Sequence, residues 1–454
     1  MSGVRTKHSR RREKNRFPAK TKAGDGDGDA MMFTPTSAVR NSCRRWMEGD
    51  QTTVTIDEDA LNAFACEIAH SIMVSESSTT GKNDDKVEER SINVTEWDAD
   101  GWHYSGTKYL GTESMRMERV AMYVLALDAM NFCFWPVEEL NDDGIAMSTN
   151  GLEYEHLAMA LRNIAEMDDE VGPFEVDGMF DTAGMSYALS PVNLSTMTPT
   201  KLCSLLKPHF PSPHDVIVYN LPNIEVRCKL LNELSRGLLK QHDGSALRMI
   251  SKANGSADAL VRIILDTFPG FRDFVDTANP ECDWESATDD SPSVIHFYKR
   301  AQIAVADLWA ALGRRQRHHN RNESNTALSN AEICIFDDIG LLTTFPDYRV
   351  PQILWHVNVL QYNSSLEKQV DNQVTIAKGS IDEISIRAGT VLAVEKIVQR
   401  VKEEILSNAK VDNCSKIVDD ISAVTIDWYL WQRGEKLDRA NLLGPHHRVV
   451  TTFY

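Results

Sequence analysis

Four short segments of the sequence combine carboxylate, cationic and aromatic side chains densely enough to do chemistry. They are Asp128–Trp135, Phe297–Asp307, Phe345–Gln352 and Asp427–Trp431. A preorganised carboxylate stabilises positive charge that grows in a transition state, and a lysine is a compact cation suited to a phosphate. The structural alternative is that an aspartate beside aromatic residues is a helix cap or a hydrogen-bonded core group, which is the commoner case.

Helices must position these segments, because apolar residues recur at the helical period along much of the chain. The periodic stretches are Leu61–Ile72, Met117–Leu127, Val226–Leu238, Leu260–Ile264, Ala301–Leu312, Val391–Ile405 and Ile417–Trp428. Asp57 or Asp59 is expected to cap the first of these helices, and Phe268-Pro269 is expected to end the fourth. The sequence therefore predicts a mostly α protein.

Several segments lack this periodicity and are predicted to lie outside the helical core. Residues 1–35 form a basic arm, which is predicted to be disordered because it is almost devoid of apolar side chains. Insertions are expected at 75–90, which is polar and rich in Ser and Thr, and at 205–222, which contains the proline-rich Pro208–Pro222. The basic, Asn-rich stretch 314–330 is expected to be an exposed loop.

The composition excludes several classes of protein. A formal charge of −18 over 454 residues argues against a general nucleic-acid binder, so no stable nucleic-acid complex is expected. No apolar run is long enough to span a membrane and residues 1–22 contain no apolar stretch of the secretory kind, so neither membrane insertion nor secretion is expected. The eight cysteines have no C-x-x-C pair or metal-ligand spacing, which predicts reduced thiols and a cytoplasmic, or also nuclear, location.

The four chemistry-bearing segments, taken in this order, resemble the family of queuosine-salvage proteins. That family hydrolyses queuosine 5′-monophosphate to queuine and ribose 5-phosphate, salvaging queuine for tRNA modification. The resemblance runs from about Thr36 to Tyr454. It implies a two-lobed, mostly α enzyme with one half similar to the helix-hairpin-helix DNA glycosylases. It also implies a small nucleotide as substrate and neither a metal nor an organic cofactor.

The resemblance divides the chain and identifies a catalytic residue. We expect an N-terminal helical lobe at 36–220 and a glycosylase-like lobe at 221–454. The family's F-A-D-Y-R motif reads Phe345-Pro346-Asp347-Tyr348-Arg349 here. It implies that Asp347 is catalytic and that Phe345 stacks on the base. A carboxylate also suits this chemistry, since cleavage of an N-glycosidic bond passes through an oxocarbenium-like transition state.

The same resemblance supplies the binding residues. The family's F-Y-K-R is present as 297–300, which implies that Lys299 and Arg300 bind the 5′-phosphate; a solvated surface pair is the alternative. Asp427 is the candidate for the guanine-like edge of the base, and Trp431 follows one turn later. Weaker matches imply substrate contacts for three further residues, His103, Asn131 and Phe132.

Two positions depart from the family's pattern. Pro346 replaces an alanine beside Asp347, which fixes φ and removes an N–H in that loop. Gln432 replaces the acidic residue that commonly follows the tryptophan at 431.

Three function classes fit these observations to different degrees. The resemblance favours a nucleotide N-glycosidase. A DNA-repair-type base glycosylase would need a broad basic face, which the net charge of −18 argues against. A non-catalytic nucleobase-binding module would be favoured by loss of the catalytic aspartate, yet Asp347, Lys299 and Asp427 are all present.

Overall fold

Helices dominate the part of the chain that the computed structural model describes. The described residues are 34–78, 101–135, 139–140, 146–147, 152–171, 187–210, 221–279, 291–314, 333–407 and 414–454. Their α-helices are Pro35–Met47 (α1), Glu58–Ser78 (α2), Glu113–Met130 (α3), Tyr154–Val171 (α4), Pro191–Leu194 (α5), Pro199–Leu206 (α6), Ile224–Gln241 (α7), Ala246–Ser251 (α8), Ala257–Thr267 (α9), Lys299–Leu308 (α10), Arg349–His356 (α11), Ser364–Asp371 (α12), Ile381–Ser407 (α13), Cys414–Asp420 (α14) and Ala423–Arg439 (α15). A π-helical turn, Trp309–Arg314, extends α10. Residues Thr34–Tyr454 belong to one compact unit.

Short antiparallel pairs of strands connect the helices. The strands are Val54–Ile56 (β1), Glu139–Leu140 (β2), Ala146–Met147 (β3), Phe274–Asp276 (β4), Val294–His296 (β5) and Leu360–Tyr362 (β6). They pair as β1 with β6, β2 with β3, and β4 with β5. In the last pair Phe274 lies opposite His296, so the residue before β4 lies close to the segment that leads from β5 into α10.

Ser and Thr caps fix where several helices begin. The hydroxyl oxygens of Thr112, Ser256 and Ser422 accept hydrogen bonds from backbone N–H groups in the first turns of α3, α9 and α15. A cap satisfies a donor that the helix itself cannot use, and its loss costs about 1 kcal/mol. Asp57 caps α2 in the same way, because its Oδ1 accepts from the N–H of Ala60 at 2.9 Å.

A large apolar core joins α2, α11, α13 and α15. Its members include Ile68, Leu354, Val394 and Ile426, each fully buried. Helix α2 packs along α13, while α11 packs against α15. Burial of side chains of this size stabilises the fold by about 1.5–3 kcal/mol each, so this core holds α11 and α15 in a fixed relationship.

The C-terminal part of helix α3 is surrounded by other helices. Its residues Val120–Met130 are all buried, against α4, α7, α8 and α10. A helix that is buried all round belongs to the interior of the protein. Its C-terminal end therefore delivers Asp128 and Asn131 to the interior.

The helical fold that the sequence predicts is confirmed, with two local corrections. The stripe Ile417–Trp428 is not one helix: α14 ends at Asp420 and α15 begins after its cap Ser422. The insertion predicted at 75–90 begins later than expected, because α2 continues to Ser78. As predicted, the fourth helix ends before Phe268-Pro269.

Other expectations lie partly or wholly outside the described residues. The arm is described only from residue 34, and of the segments 75–90, 205–222 and 314–330 only the ends are described. The boundary between lobes near residue 220 and the similarity to helix-hairpin-helix glycosylases stay predictions. Among the described helices, none has both the length and the apolar composition needed to cross a membrane.

Candidate active site

Asp347 lies two residues before the first residue of α11, with its carboxylate at the N-terminus of that helix. Its Oδ1 accepts hydrogen bonds from the backbone N–H groups of Arg349 (2.8 Å) and Val350 (3.0 Å). Burial raises the pKa of Asp347 above its usual value, and the charge of Lys299 together with these two N–H groups opposes that rise. Both hydrogen bonds use one oxygen, which leaves Oδ2 for a ligand.

The side chain of Asp427, on α15, contacts the loop that leads to Asp347. Its Oδ2 accepts hydrogen bonds from the N–H of Phe345 (2.8 Å) and from the hydroxyl of Thr344. Burial, followed by the charge of Asp347, raises the pKa of Asp427 to about 7. One carboxylate oxygen therefore orients the loop, and the other is left for a ligand.

Lys299 is the first residue of α10. Its N–H donates to Oδ2 of Asp273 at 3.2 Å. Burial lowers the pKa of Lys299, while the charges of Asp347 and Asp128 oppose the shift. Among the residues that the structure describes, no carboxylate oxygen lies within 4 Å of its ammonium group. The cation is therefore close enough to the aspartates to influence their titration, and no carboxylate of the described residues forms an ion pair with it.

Arg349 fixes α11 against α15, and with it the distance between the two aspartates. Its Nε donates to Glu435 at 2.7 Å and its Nη2 to Asp438 at 3.0 Å. Gly434 permits this approach, because a Cβ at that position would lie 2.7 Å from Cδ of Arg349. The motif that contains Asp347 is thus anchored by a buried ion pair.

A cavity with an empty volume of about 620 Å³, counted to its open mouth, connects these groups. Seven of the nine residues that the sequence predicts for the site line it: His103, Asn131, Lys299, Phe345, Asp347, Asp427 and Trp431. This size is in the range of sites for small molecules. The structure therefore brings together residues that are more than 300 positions apart in the chain.

Phe132 and Arg300 do not line the cavity. Arg300 follows Lys299 on α10, and successive residues of a helix point in different directions, so its guanidinium turns toward the end of α3. It donates to the carbonyl of Ala129 at 2.6 Å and covers the ring of Phe132. Arg227 lies on the same ring, 4.3 Å from its centroid. Both residues hold the wall behind the cavity, and their predicted substrate contacts stay predictions.

The two arginines donate hydrogen bonds to backbone carbonyls at the C-terminal end of α3. Arg227 donates to the carbonyls of Phe132 (2.6 Å), Cys133 (3.0 Å) and Met130. Burial lowers the pKa of Arg227 to about 9 and that of Arg300 to about 10. Cations at a helix C-terminus interact favourably with its dipole, which explains how these charges are accommodated in the interior.

The sequence did not identify six further residues of the cavity wall. They are Tyr154, Ile303, Asp307, Tyr348, Trp428 and Tyr454. Ile303 and Asp307 follow Lys299 at helical spacing, so the signal for them was present in the sequence. Tyr154 gave no such signal, because the long-range packing of α4 brings it to the site.

Aromatic side chains form one side of the cavity. The ring of Trp431 meets Trp102 and Tyr154 edge to face, at centroid distances of 5.8 and 5.6 Å. The hydroxyl of Tyr154 lies 2.9 Å from Nε2 of His103. Edge-to-face contacts fix ring orientation, so this side of the cavity is a rigid aromatic surface.

One group of carboxylates approaches the geometry of a metal site. Oxygens of Glu153, Glu155 and Glu435 lie within 4.8 Å of one another. Two of them have cationic partners, with Glu435 at 2.7 Å from Arg349 and Glu155 at 3.5 Å from Arg439. The arginines supply the positive charge that such a group needs, and we assign no metal to it.

Comparison with known sequences identifies the family. The chain is 34% identical over 357 residues to the queuosine 5′-phosphate N-glycosylase/hydrolase of Dictyostelium discoideum, covering 78% of this chain and 85% of that protein. Proteins of the same name from Sphaerobacter thermophilus and Mus musculus are 28% and 27% identical, covering 74% and 73% of this chain and 82% and 81% of theirs.

A family model described as queuosine salvage protein matches residues 111–454, which include the whole cavity wall except His103. This match spans far more than half of the chain. The chain belongs to the queuosine salvage protein family.

Proposed function

We propose that this chain hydrolyses the N-glycosidic bond of queuosine 5′-phosphate and releases queuine and ribose 5-phosphate. The observation that carries the proposal is the placement of Asp347, Lys299 and Asp427 on the wall of one cavity. The names of the relatives support the substrate. Water supplies the hydroxyl group that joins the anomeric carbon, and its other proton goes to the departing base.

In this proposal Asp347 acts at the anomeric carbon. Its Oδ1 is held by two backbone N–H groups, so Oδ2 is the oxygen that faces the growing positive charge. A carboxylate whose orientation is fixed before the reaction stabilises an oxocarbenium-like transition state without reorganising. The nearby Lys299 charge favours the ionised form that this role needs.

Lys299 is proposed to bind the 5′-phosphate. It lines the cavity near Asp347, and it lacks a carboxylate partner within 4 Å in the described part of the chain. An ammonium group binds phosphate as a point charge, and the bond is strengthened by exclusion of water. Arg300 is not included, because its guanidinium is occupied by backbone carbonyls.

The base is proposed to lie between Phe345 and the α15 side chains Asp427 and Trp431. Oδ1 of Asp427 remains for the N1–H and amino group of the guanine-like edge, since Oδ2 is used by the loop. A 7-deazaguanine lacks N7, so help to the leaving group must come from such contacts. His103 and Asn131 stay proposed substrate contacts, because both line the same cavity.

The proposal is tested by incubating the purified chain with queuosine 5′-phosphate and measuring free queuine. Unphosphorylated queuosine is run in parallel, and Asp347→Asn is the inactive control. Release of queuine by the wild-type chain and none by the variant is the expected result. No release from either substrate by the wild-type chain rejects the proposed function.

We also propose a cytoplasmic location. The support is that the cysteines with described side chains, such as the buried Cys43 and Cys133, are free thiols. Proteins of oxidising compartments tend to pair their cysteines.

A further inference from the structure

Thr344 donates its hydroxyl hydrogen to a carboxylate of the cavity wall. The acceptor is Oδ2 of Asp427, the same oxygen that accepts the N–H of Phe345 at 2.8 Å. Asp427 lines the cavity, whereas Thr344 is fully buried and does not line it. Any effect of Thr344 on a ligand in the cavity is therefore exerted through Asp427.

Helix α10 fixes the backbone around Thr344 through Gln302. The side-chain nitrogen of Gln302 donates to the hydroxyl of Thr343 at 2.8 Å, and its oxygen accepts the N–H of Thr343 at 2.8 Å. The hydroxyl of Thr343 in turn donates to the carbonyl of Thr344 at 3.0 Å. All three residues are completely buried. A buried network whose groups are bonded in this way holds one conformation, so the Thr344 hydroxyl meets Asp427 in a fixed direction.

The two donors on Oδ2 decide where a proton on Asp427 would go. An ionised carboxylate only accepts hydrogen bonds, whereas a protonated one carries an O–H donor on one of its oxygens. Because Oδ2 already accepts two hydrogen bonds, that proton would lie on Oδ1, the oxygen left for a ligand. Protonation would therefore replace an acceptor in the cavity with a donor, which does not match the N1–H and amino group of a guanine-like base.

The charged groups near Asp427 act on it in opposite directions. Burial and the charge of Asp347 raise the pKa of Asp427 to about 7, whereas the Thr344 hydroxyl, the N–H of Phe345 and the charge of Lys299 oppose this rise. A donor to the ionised form favours that form, so its removal raises the pKa further. Loss of the Thr344 hydroxyl would therefore protonate more of Asp427 at neutral pH.

Two other helices that pack against α15 carry charges with partners of their own. Arg349 of α11 is paired with Glu435 at 2.7 Å, and Arg387 of α13 is paired with Asp273 at 2.6 Å. These charges are balanced locally, so Asp347 and Lys299 are the charges that act on the Asp427 carboxylate.

We propose that Thr344 is a positioning residue for recognition of the base, because its hydroxyl keeps Asp427 a carboxylate whose Oδ1 accepts hydrogen bonds from the ligand. The inference rests on the proposed function, in which Asp427 binds the guanine-like edge. Without this hydroxyl, Asp427 takes up a proton at a higher pH and binds the base more weakly at neutral pH.

The pH profile of kcat/KM for queuosine 5′-phosphate tests this inference. Valine has nearly the shape of threonine without the hydroxyl, so Thr344→Val should move the acidic limb upward by about one pH unit and lower kcat/KM at pH 7 by about fivefold. At pH 9, where Asp427 is ionised in both proteins, the two values should agree within about threefold. Thr344→Ser keeps the hydroxyl and should leave the acidic limb in place.

Inhibition by the two products separates recognition of the base from a general structural effect. Queuine contains the guanine-like edge and ribose 5-phosphate does not. At pH 7, Thr344→Val should weaken inhibition by queuine about fivefold and change inhibition by ribose 5-phosphate by less than about twofold. If Thr344→Val does not fold, Thr344→Cys gives the same measurements, because a thiol is a weak donor of nearly the same size.

Thr343→Val is the matched control. It removes the adjacent buried hydroxyl, whose partners are the uncharged Gln302 side chain and the carbonyl of Thr344. It should therefore lower stability without moving the acidic limb.

Three results would overturn the inference. They are an acidic limb that does not move in Thr344→Val, an equal movement in Thr343→Val, and equal weakening of inhibition by both products. Failure of the wild-type chain to release queuine is a different outcome, because it rejects the proposed function itself.

Discussion

Arg387 and Asp273 form a fully buried bidentate ion pair, with Nη1 to Oδ1 at 3.0 Å and Nη2 to Oδ2 at 2.6 Å. The pair contacts both the loop that leads to Asp347 and the segment that leads into α10, where Lys299 lies. Nε of Arg387 donates to the carbonyl of Pro346 at 3.1 Å, directly before Asp347, the proposed catalytic residue. Asp273 accepts the N–H of Lys299, and its own carbonyl accepts the N–H of Tyr298 at 3.0 Å. Tyr298 has a φ of 52°, which a non-glycine residue adopts only when its surroundings enforce it.

Replacing Arg387 with Met is expected to destabilise the protein by about 3–5 kcal/mol, because it leaves the Asp273 carboxylate buried and unpaired. Chemical unfolding gives the free energy directly. Lys396→Ala is the matched control. Lys396 is on α13, like Arg387, and forms an ion pair with Glu58, but its side chain is 46% exposed. That variant should lose less than about 1 kcal/mol. Equal losses from both variants would contradict the structural role of the buried pair.

Asp347→Asn should abolish hydrolysis and leave the fold intact. The amide oxygen can still accept the two N–H groups at the start of α11, so the loop keeps its anchor, whereas the charge at the anomeric carbon is lost. Removal of such transition-state stabilisation lowers kcat by at least about a thousandfold. Single-turnover release of queuine measures it, with the unfolding transition as a control. Activity near that of the wild type would remove Asp347 from the mechanism.

The helices were predictable because their apolar stripes are regular, and the failures have local causes. The stripe Ile417–Trp428 keeps the helical period across a break. A capping box formed by Ser422 and Thr425 starts a new helix there, with each side chain bonded to the backbone of the other. Hydrophobic periodicity indicates which face of a helix is buried, but it does not show where one helix ends and the next begins.

The sequence predicted that Asp347, from the motif of the resembled family, and Asp427, from its chemistry, belong to one site, and both line the same cavity. Arg300 was assigned to the phosphate together with Lys299, because the two residues match the end of the family's F-Y-K-R. On a helix the two side chains diverge, and only Lys299 reaches the cavity. Tyr154 could not be found at all, since its place beside His103 depends on how α4 packs in three dimensions.

Asp427→Asn is expected to stabilise the protein at pH 8 but not at pH 4. Burial and the charge of Asp347 raise the pKa of Asp427 from 3.8 to about 7 in the folded state. The wild-type stability that this residue contributes is therefore complete below pH 4 and is lost as the pH rises through about 7. The asparagine does not titrate, and its amide oxygen can still accept the N–H of Phe345.

The free energies of unfolding of both proteins at pH 4, 6 and 8 test this prediction. The difference between variant and wild type should grow across this range by up to a few kcal/mol. Asp128, whose pKa burial also raises to about 7, titrates in both proteins and so largely cancels in the difference. A difference that does not vary with pH would show that Asp427 keeps its ordinary pKa in the folded protein.

Lys299→Ala should weaken hydrolysis of queuosine 5′-phosphate much more than hydrolysis of queuosine. The 5′-phosphate is remote from the breaking bond, so binding it helps to orient the sugar, and its loss lowers kcat as well as affinity. A charge-assisted hydrogen bond in a partly buried cavity contributes about 1.5–3 kcal/mol, so the preference for the nucleotide should shrink by about tenfold to a hundredfold.

Arg300→Lys is the comparison for this prediction. Arg300 donates to carbonyls at the end of α3 and does not line the cavity, so its replacement should lower stability and affect both substrates by the same factor. The measured quantity is the ratio of kcat/KM for nucleotide and nucleoside in the wild type and in both variants.

Lys299 also lies near Asp347, and its loss raises the pKa of that carboxylate. If the ammonium served Asp347 alone, Lys299→Ala would slow both substrates equally and shift the acidic limb of the pH profile upward, with no change in the ratio.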